Sequence, residues 1–370
     1  MQKKLLTAAV SLALAAPAAA FAQATLYGIV DVGYQNVSGY APGDSNSAAV
    51  MHNGQKSSRL GARVSEDLGG GLSARAVIEF DITSDTGATS AAGMTQRQTL
   101  VALDSKSWGE LVLGRQLTHI FTSVAMVEGA SGVNGFQSMY GMTDTQTRSS
   151  NYIKYASPNF QGFTFGAGWA PGEDATPVTN DGNNDFWDVA LRYEAGNFGA
   201  VWGYSQIESV TGATAAGFLP TVSTTTGAAV PVAAGAARDF KEKDNAIAGY
   251  FNFNPFKILA LYKTSKQSGT GAAEDLKIYT LRGEFKTGPG TVAVSFGKSK
   301  NELAAAAGMG DADFFGLAYY HDLSKRTTAY AQYGRIKNDP LANFALGGQQ
   351  FANTAGSDPK GFSVGINHSF

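Results

Sequence analysis

The chain has no cysteine, so an exported protein of this size must be held together by something other than disulfides. Long hydrophobic runs are missing too. Beyond the N-terminal region no segment approaches the roughly 18 to 20 uninterrupted apolar residues of a spanning helix, and mean hydropathy is −0.11, which excludes a bundle of membrane helices. Neither sign of charge dominates: 28 Lys and Arg stand against 30 Asp and Glu, a net charge of −2. Nucleic acid calls for a basic patch and a high pI, so it is not an expected partner. Proline is sparse at 11 residues, and the four histidines, His52, His119, His321 and His368, are scattered. Without an HExxH or a paired Cys/His spacing they suggest no metal site and no cofactor.

What is present is glycine, 45 residues, and aromatics at 11%, a composition that suits many short strands and tight turns. The N-terminus reads as a secretory signal over residues 1–22: Lys3 and Lys4, an apolar run from Leu5 to Ala16, then Ala20-Phe21-Ala22 as an A-x-A cleavage site. A membrane anchor is the alternative, but the run is short for one. Cleavage would start the mature chain at Gln23 with 26 basic and 30 acidic residues, a charge near −4.

Strand-like alternation recurs throughout. In the last ten residues Phe362, Val364, Ile366, His368 and Phe370 share one face, and Ser363, Gly365, Asn367 and Ser369 share the other. Leu72, Ala74, Ala76, Ile78 and Phe80 alternate with Ser73, Arg75, Glu79 and Asp81; Trp187, Val189, Leu191 and Tyr193 alternate with Asp188, Arg192 and Glu194. One greasy and one polar face suit a wall with lipid outside and water inside.

Sixteen strands are predicted, at 25–35, 57–66, 72–84, 95–104, 110–115, 149–158, 161–169, 185–195, 198–207, 243–253, 256–265, 274–286, 290–299, 311–321, 327–336 and 360–370. Their connections alternate between short turns such as EDLGGGL, SKSWGE and KTGPG and long segments at 36–56, 85–94, 116–148, 170–184, 208–242, 266–273, 300–310 and 337–359. An even strand count puts both termini on the short-turn side, as in outer-membrane barrels. The low-complexity stretch 208–242 reads as a surface loop, or as a linker between two domains. The same strand rhythm on both sides favours one domain over 23–370.

Enzyme signatures fail on context. Gly361-Phe362-Ser363-Val364-Gly365 matches a nucleophile elbow, but the five residues after it leave no room for a helix and a later acid. Gly269-Thr270-Gly271 lacks the strand-to-helix switch of a dinucleotide site, and no other constellation demands an enzyme.

Several stretches, taken in order, resemble the general porins of Gram-negative bacteria, in particular their beta-proteobacterial branch: TLYGIVDVGY, SSRLGARVSEDLGGGLSARAVIEF, RQTLVALDSKSWGELVLGRQ, RSSNYIKYASPNFQGFTFGAGW, HDLSKRTTAYAQYG and GFSVGINHSF. The resemblance implies an all-β, sixteen-stranded antiparallel transmembrane barrel in the outer membrane, usually a homotrimer, whose third long loop folds inward to narrow the pore. It further implies contact with outer-membrane lipid and lipopolysaccharide, and engagement of the outer-membrane assembly machinery through the strand ending at Phe370.

Alternation puts Arg59 and Arg63 on the lumen face opposite Leu60, Ala62 and Val64, with Arg75 and Glu79 on that face of the next strand. Arg97 opens the fourth strand, and Arg148 falls with Tyr152 and Lys154 opposite Ile153 and Tyr155. By resemblance, Arg59, Arg97 and Arg148 form a basic cluster on the constriction wall; pairing with carboxylates such as Glu79 is the alternative. The loop 116–148 brings Glu128 and Asp144, either as acids across the opening or as solvated loop carboxylates. Wall arginines outnumbering these acids predict a weak preference for anions among the ions and small hydrophilic solutes that pass. Trp187, Tyr193, Trp202 and Tyr330 are expected on the lipid side, as girdles or subunit contacts. The competing readings are a channel specific for one solute class and a secreted β-rich adhesion protein.

Overall fold

The computed structural model describes residues 23–41, 47–88, 97–131, 135–138, 142–143, 145–172, 185–211, 238–269, 274–302, 310–346 and 354–370. The predicted signal segment 1–22 and Asp144 lie outside them. Its strands are β1 (Gln23–Ser38), β2 (Ser47–His52), β3 (Arg59–Gly69), β4 (Leu72–Asp81), β5 (Gln98–Ser105), β6 (Gly109–Leu117), β7 (Arg148–Ala156), β8 (Phe163–Ala170) and β9 (Asp185–Ala195). They continue with β10 (Phe198–Thr211), β11 (Arg238–Phe253), β12 (Phe256–Gly269), β13 (Glu274–Thr287), β14 (Gly290–Asn301), β15 (Ala312–Asp322), β16 (Thr327–Asn338) and β17 (Lys360–Ser369). One short helix, α1 (His119–Val124), follows β6 and runs into a 3-10 turn, Ala125–Ser131.

The seventeen strands form one sheet. β17 pairs antiparallel with β1 from Ser369 opposite Ile29 to Lys360 opposite Ser38, so the sheet closes and leaves no open edge. The other edge of β1 pairs with β3 over Gln23–Ile29 and with β2 over Gly33–Ser38. β2 and β3 are thus two halves of a single wall strand, and the barrel has sixteen. Where one strand was predicted from residue 57, the structure extends it backwards as β2 and interrupts it at 53–58. The long strands β10 and β11 take residues 208–211 and 238–242 out of the expected loop, whose remainder lies outside the described residues.

The sense of the wall follows from side-chain alternation. Phe362, Val364, Ile366 and Phe370 are exposed and Ser363 and Asn367 are buried, as the C-terminal pattern predicts. Trp187, Leu191, Trp202 and Ile247 are exposed on neighbouring strands, with Asp188 and Ala246 buried. Apolar side chains left outside, and polar ones covered within, are the arrangement a bilayer selects. Tyr193 belongs with the outer set, its ring 4.5 Å from that of exposed Phe163. Tyr330 does not. It lies on the inner face of β16 with Gln332, almost fully buried, and donates to the Asp31 carboxylate at 2.6 Å. The flanking residue Ala331 and then Tyr333 take the outer positions.

Short turns are built by residues tolerant of positive φ. Between β3 and β4, Gly69, Gly70 and Gly71 all have φ from +63° to +82°, a run that only glycine sustains cheaply. Asp67 accepts the Gly69 N–H at 2.9 Å and closes the turn.

The apolar core sits inside the barrel. One cluster joins Ile120, Val124 and Val127 to Phe186, Val201, Ala246, Ala248, Leu259 and Leu261. The second joins Val37, Phe136 and Met142 to Leu276, Ile278, Phe314 and Ile336, with Phe344 and Leu346 from the connection before β17.

Candidate functional site

The inner face of β3 to β5 carries the first group of charges. Glu79 is buried and accepts from Arg97 Nε at 2.5 Å and from the Tyr27 hydroxyl at 3.1 Å. Arg97, only 8% exposed, also pairs with Asp81 through Nη1 at 3.3 Å. Arg59 lies opposite Asp81 in the register and close enough to Arg97 and Glu79 for their charges to act on it. It makes no ion pair with a described carboxylate, nor does Arg63, which is exposed four register pairs further along β3. Arg97 therefore meets the expectation of pairing with Glu79, while Arg59 and Arg63 stand on β3 without an ion pair to a described carboxylate.

Arg75 sits apart from this group. It binds Asp104 through Nε at 3.1 Å and Glu110 through Nη2 at 2.8 Å, near the Gly69–Gly71 turn and four residues along β4 from Glu79.

The segment after β6 lies against the face of the wall opposite the exposed aromatics. Thr118 caps α1, its Oγ1 accepting from Phe121 N–H at 3.1 Å. Asp188 of β9 accepts from Ile120 N–H at 2.9 Å and from the Tyr152 hydroxyl. A carboxylate at a helix N-terminus satisfies an orphan donor and complements the helix dipole. His119 Nε2 lies 3.0 Å from the Tyr155 carbonyl, and Arg192 Nη2 donates to Thr122 O at 3.3 Å. Burial, reinforced by the Lys154 ammonium, pushes the His119 imidazole down to about 3, so it is neutral at physiological pH.

Past the helix, Gly129 has φ 50° and ψ −129°, a backbone state essentially reserved for glycine. A Cβ there would also strike the Glu284 carboxylate. The neighbouring Glu128 is 5% exposed and lines a narrow crevice with Thr280, Arg282 and Gln137. The strand residues that line this crevice come from β13 and, through Ser295, from β14. Arg282 donates to Glu284 through Nε at 2.9 Å and to the Gln137 side chain through Nη1, and Ser295 Oγ donates to Gln137 at 3.2 Å.

The model of the Gram-negative porin family matches residues 7–341. The chain is a Gram-negative porin. This porin is 31% identical over 389 residues to outer membrane porin protein 32 of Delftia acidovorans, with both chains covered in full. It is also 31% identical over 411 residues to an outer membrane porin protein of Bordetella pertussis, again with both fully covered. Among solved structures it is similar to the anion-selective porin from Comamonas acidovorans, with a TM-score of 0.74 and 28% identity, covering 94% of this chain and 100% of that one. It is therefore an outer-membrane protein forming a passive channel, in a family of channels and not of enzymes.

Arg148 of this porin opens β7, but its placement does not follow from simple alternation. The β6–β7 register shifts between Gly114 and Gln116, and Asn151 takes φ 53°, a bulge that breaks the parity linking Arg148 to Tyr152 and Lys154. Arg148 instead lines a recess of about 250 Å³ with Arg115, Gln146, Ala170, Phe186 and Ile207. Ala170 and Phe186 alternate with exposed Trp169 and Trp187 and so line it from the inner face, whereas Arg115 lies opposite Thr99, on the outward face with exposed Ile78. Arg115, Asp188 and Arg282 are the residues whose roles sequence reasoning missed. Arg282 was accessible, because it alternates with Leu281 on a predicted strand. Asp188 was placed on the lumen face, but nothing nearby in sequence announces the helix that it holds.

Proposed function

We propose that this porin favours anions, and that the loop at 116–148 narrows its passage against the wall made by β3 to β7. One observation carries the reading. Arg97 and Arg75 each hold two of the four acids Glu79, Asp81, Asp104 and Glu110, so four arginines balance four acids along this wall, whereas Arg59 and Arg63 of β3 have no described carboxylate within ion-pair distance and stay open to a passing anion. The mobile ion then meets two guanidinium groups that no described ion pair holds, beside a low-dielectric wall, where arginine stays ionised at any accessible pH. The similarity to a porin named anion-selective supports the same sign. Glu128 enters as an anchor of the segment beside Arg282, and Arg97 enters as the rigid neighbour that orients Glu79 and Asp81. Arg75 acts at the short-turn end, and Arg148 beside the recess.

The same reading has residues 1–22 removed on export, three copies assembled side by side in lipid and lipopolysaccharide, and the strand ending at Phe370 engaged by the assembly machinery. Planar-bilayer recording in a KCl gradient tests the charge assignment. Wild type should show a chloride-preferring reversal potential. Arg63→Glu should lower the chloride-to-potassium permeability ratio about fivefold, from a change of about 1 kcal/mol in local ion energy. A cation preference in wild type would refute it.

A further inference from the structure

The outer surface of β16 and β17, at the end joined by their long connection, carries cations that the barrel leaves unanswered. Arg335 and Lys337 lie near the end of β16, and Lys360 begins β17. All three are exposed, while Gly334, Ile336 and Gly361 beside them are buried, so they stand on the outward face with Tyr333 and Phe362. Arg335 and Lys360 are direct partners in the ladder, which sets their Cβ atoms about 5 Å apart, where like charges repel. Neither of them, nor Lys337, makes an ion pair or a side-chain hydrogen bond with a described residue.

The acids at this end do not quench the pair. Asp313, opposite Lys337 in the register, is held by Lys298 at 3.0 Å. Asp358 Oδ1 accepts the Asn338 N–H and Asp311 Oδ1 the Asn301 N–H, each at 3.0 Å, and Asp339 lies past the end of β16. Nearer the middle of the barrel, Tyr333 and Phe362 face each other within a chain of outward rings: Phe296 to Phe315 at 5.5 Å, Phe315 to Tyr333 at 6.4 Å, and Phe362 to Tyr34 at 5.9 Å. Exposed Leu317, Val364 and Ile366 extend that surface. Aromatic rings mark the level where hydrocarbon gives way to headgroups, so the cations stand at headgroup height.

We propose that Arg335, Lys337 and Lys360 form a docking site for the phosphorylated glycolipid of the outer leaflet, lipopolysaccharide, with a lipid phosphate between Arg335 and Lys360 and the acyl chains along the aromatic surface. An anion between the two cations replaces their repulsion with attraction, and the guanidinium fork suits phosphate oxygens. The rings beneath supply contact that a free phosphate ion does not use. The proposal rests on the reading above that surrounds the barrel with lipid and lipopolysaccharide, with long connections facing the outer leaflet.

The test is binding of lipid A to the full-length protein in nonionic detergent, counted by native mass spectrometry. Bisphosphorylated lipid A should bind about tenfold more tightly than its dephosphorylated form, and inorganic phosphate at equal concentration should not displace it. At about fivefold per charge, Arg335→Gln combined with Lys360→Gln should weaken binding about 25-fold and Lys337→Gln about fivefold. Lys325→Gln, at the short-turn end, should leave it unchanged. Assembly of each variant is first checked by heat-modifiable gel mobility, and if the double variant does not assemble, Lys337→Gln and the lipid series decide. Wild-type affinity in the assembled double variant, or in Lys337→Gln where that alone assembles, would overturn the site. So would equal affinity for dephosphorylated lipid A, or displacement by inorganic phosphate. Lipid A that still binds in those cases leaves the wider lipopolysaccharide contact standing. Loss of binding through Lys325→Gln defeats the outward placement of the long connections, and a wild type that binds no lipid A defeats the lipopolysaccharide reading itself.

Discussion

At the scale of single residues, Asp31 has the most to lose. Its carboxylate accepts from the backbone N–H groups of Gly54 and Gln55 at 3.1 Å each, from Lys56 N–H at 2.6 Å, and from the Tyr330 hydroxyl. These bonds hold the break between β2 and β3 inside the barrel, assisted by Gln35 to Asn53 O at 2.9 Å and Gln332 to Gly54 O at 3.2 Å. Leaving a buried donor unpaired costs about 1 to 3 kcal/mol each. Asp31→Ala should therefore release residues 53–58 and raise the open-channel current noise, while Asp31→Asn, which keeps one acceptor oxygen, should do so less. Single-channel recording compares the two. None of this was legible in the sequence, because the partners are up to 299 positions apart. The same blindness put Tyr330 outside: β16 had its hydrophobic period, but an aromatic that reads as a girdle residue turns inward to reach an acid on β1.

At the scale of elements, strands were readable and the inner helix was not. Period-two alternation gave all the wall strands their position, since each strand must present one face to lipid. α1 is only six residues long, too short to compete with that rhythm, although Ile120, Val124 and Val127 do fall at helical spacing and all three pack into the inner cluster. Bulges were equally hidden, which is why Arg148 was assigned by a parity that its strand does not keep. The helix carries a pH dependence whose sign is fixed. Docked, His119 stays neutral down to about 3; released, it would titrate near its ordinary value of about 6.5. The released state binds more protons between those limits, so docking weakens as pH falls through that window, by up to about 1.4 kcal/mol per unit. Channel noise should rise below about pH 6 in wild type, whereas His119→Gln should flatten that rise. Identical profiles would remove His119 from the cause.

At the scale of the molecule, closure depends on the last strand. Phe370 N–H donates to Gly28 O at 3.1 Å and Gly28 N–H to Phe370 O at 3.2 Å, continuing the β1–β17 ladder to the final residue. Deleting residues 360–370 exposes one edge each on β1 and β16, a surface prone to wrong pairing. The truncated chain should lose the heat-modifiable mobility of a closed barrel, and retention of that mobility would show that another strand can close it. Alternation along β3 and β4 separated charged from apolar faces, but which of the charges pair depends on side-chain reach across neighbouring strands.

The two apolar clusters pack α1, Phe136 and the connection before β17 onto one arc of the inner wall, from Tyr152 of β7 round to Val37 of β1. Under the proposed function, this packing would shift traffic off the barrel axis towards β3 to β6, giving an eccentric conduit with a dry, stiff backing. Evolution can then retune permeation by exchanging charges along one arc, while the opposite arc preserves the conduit's shape.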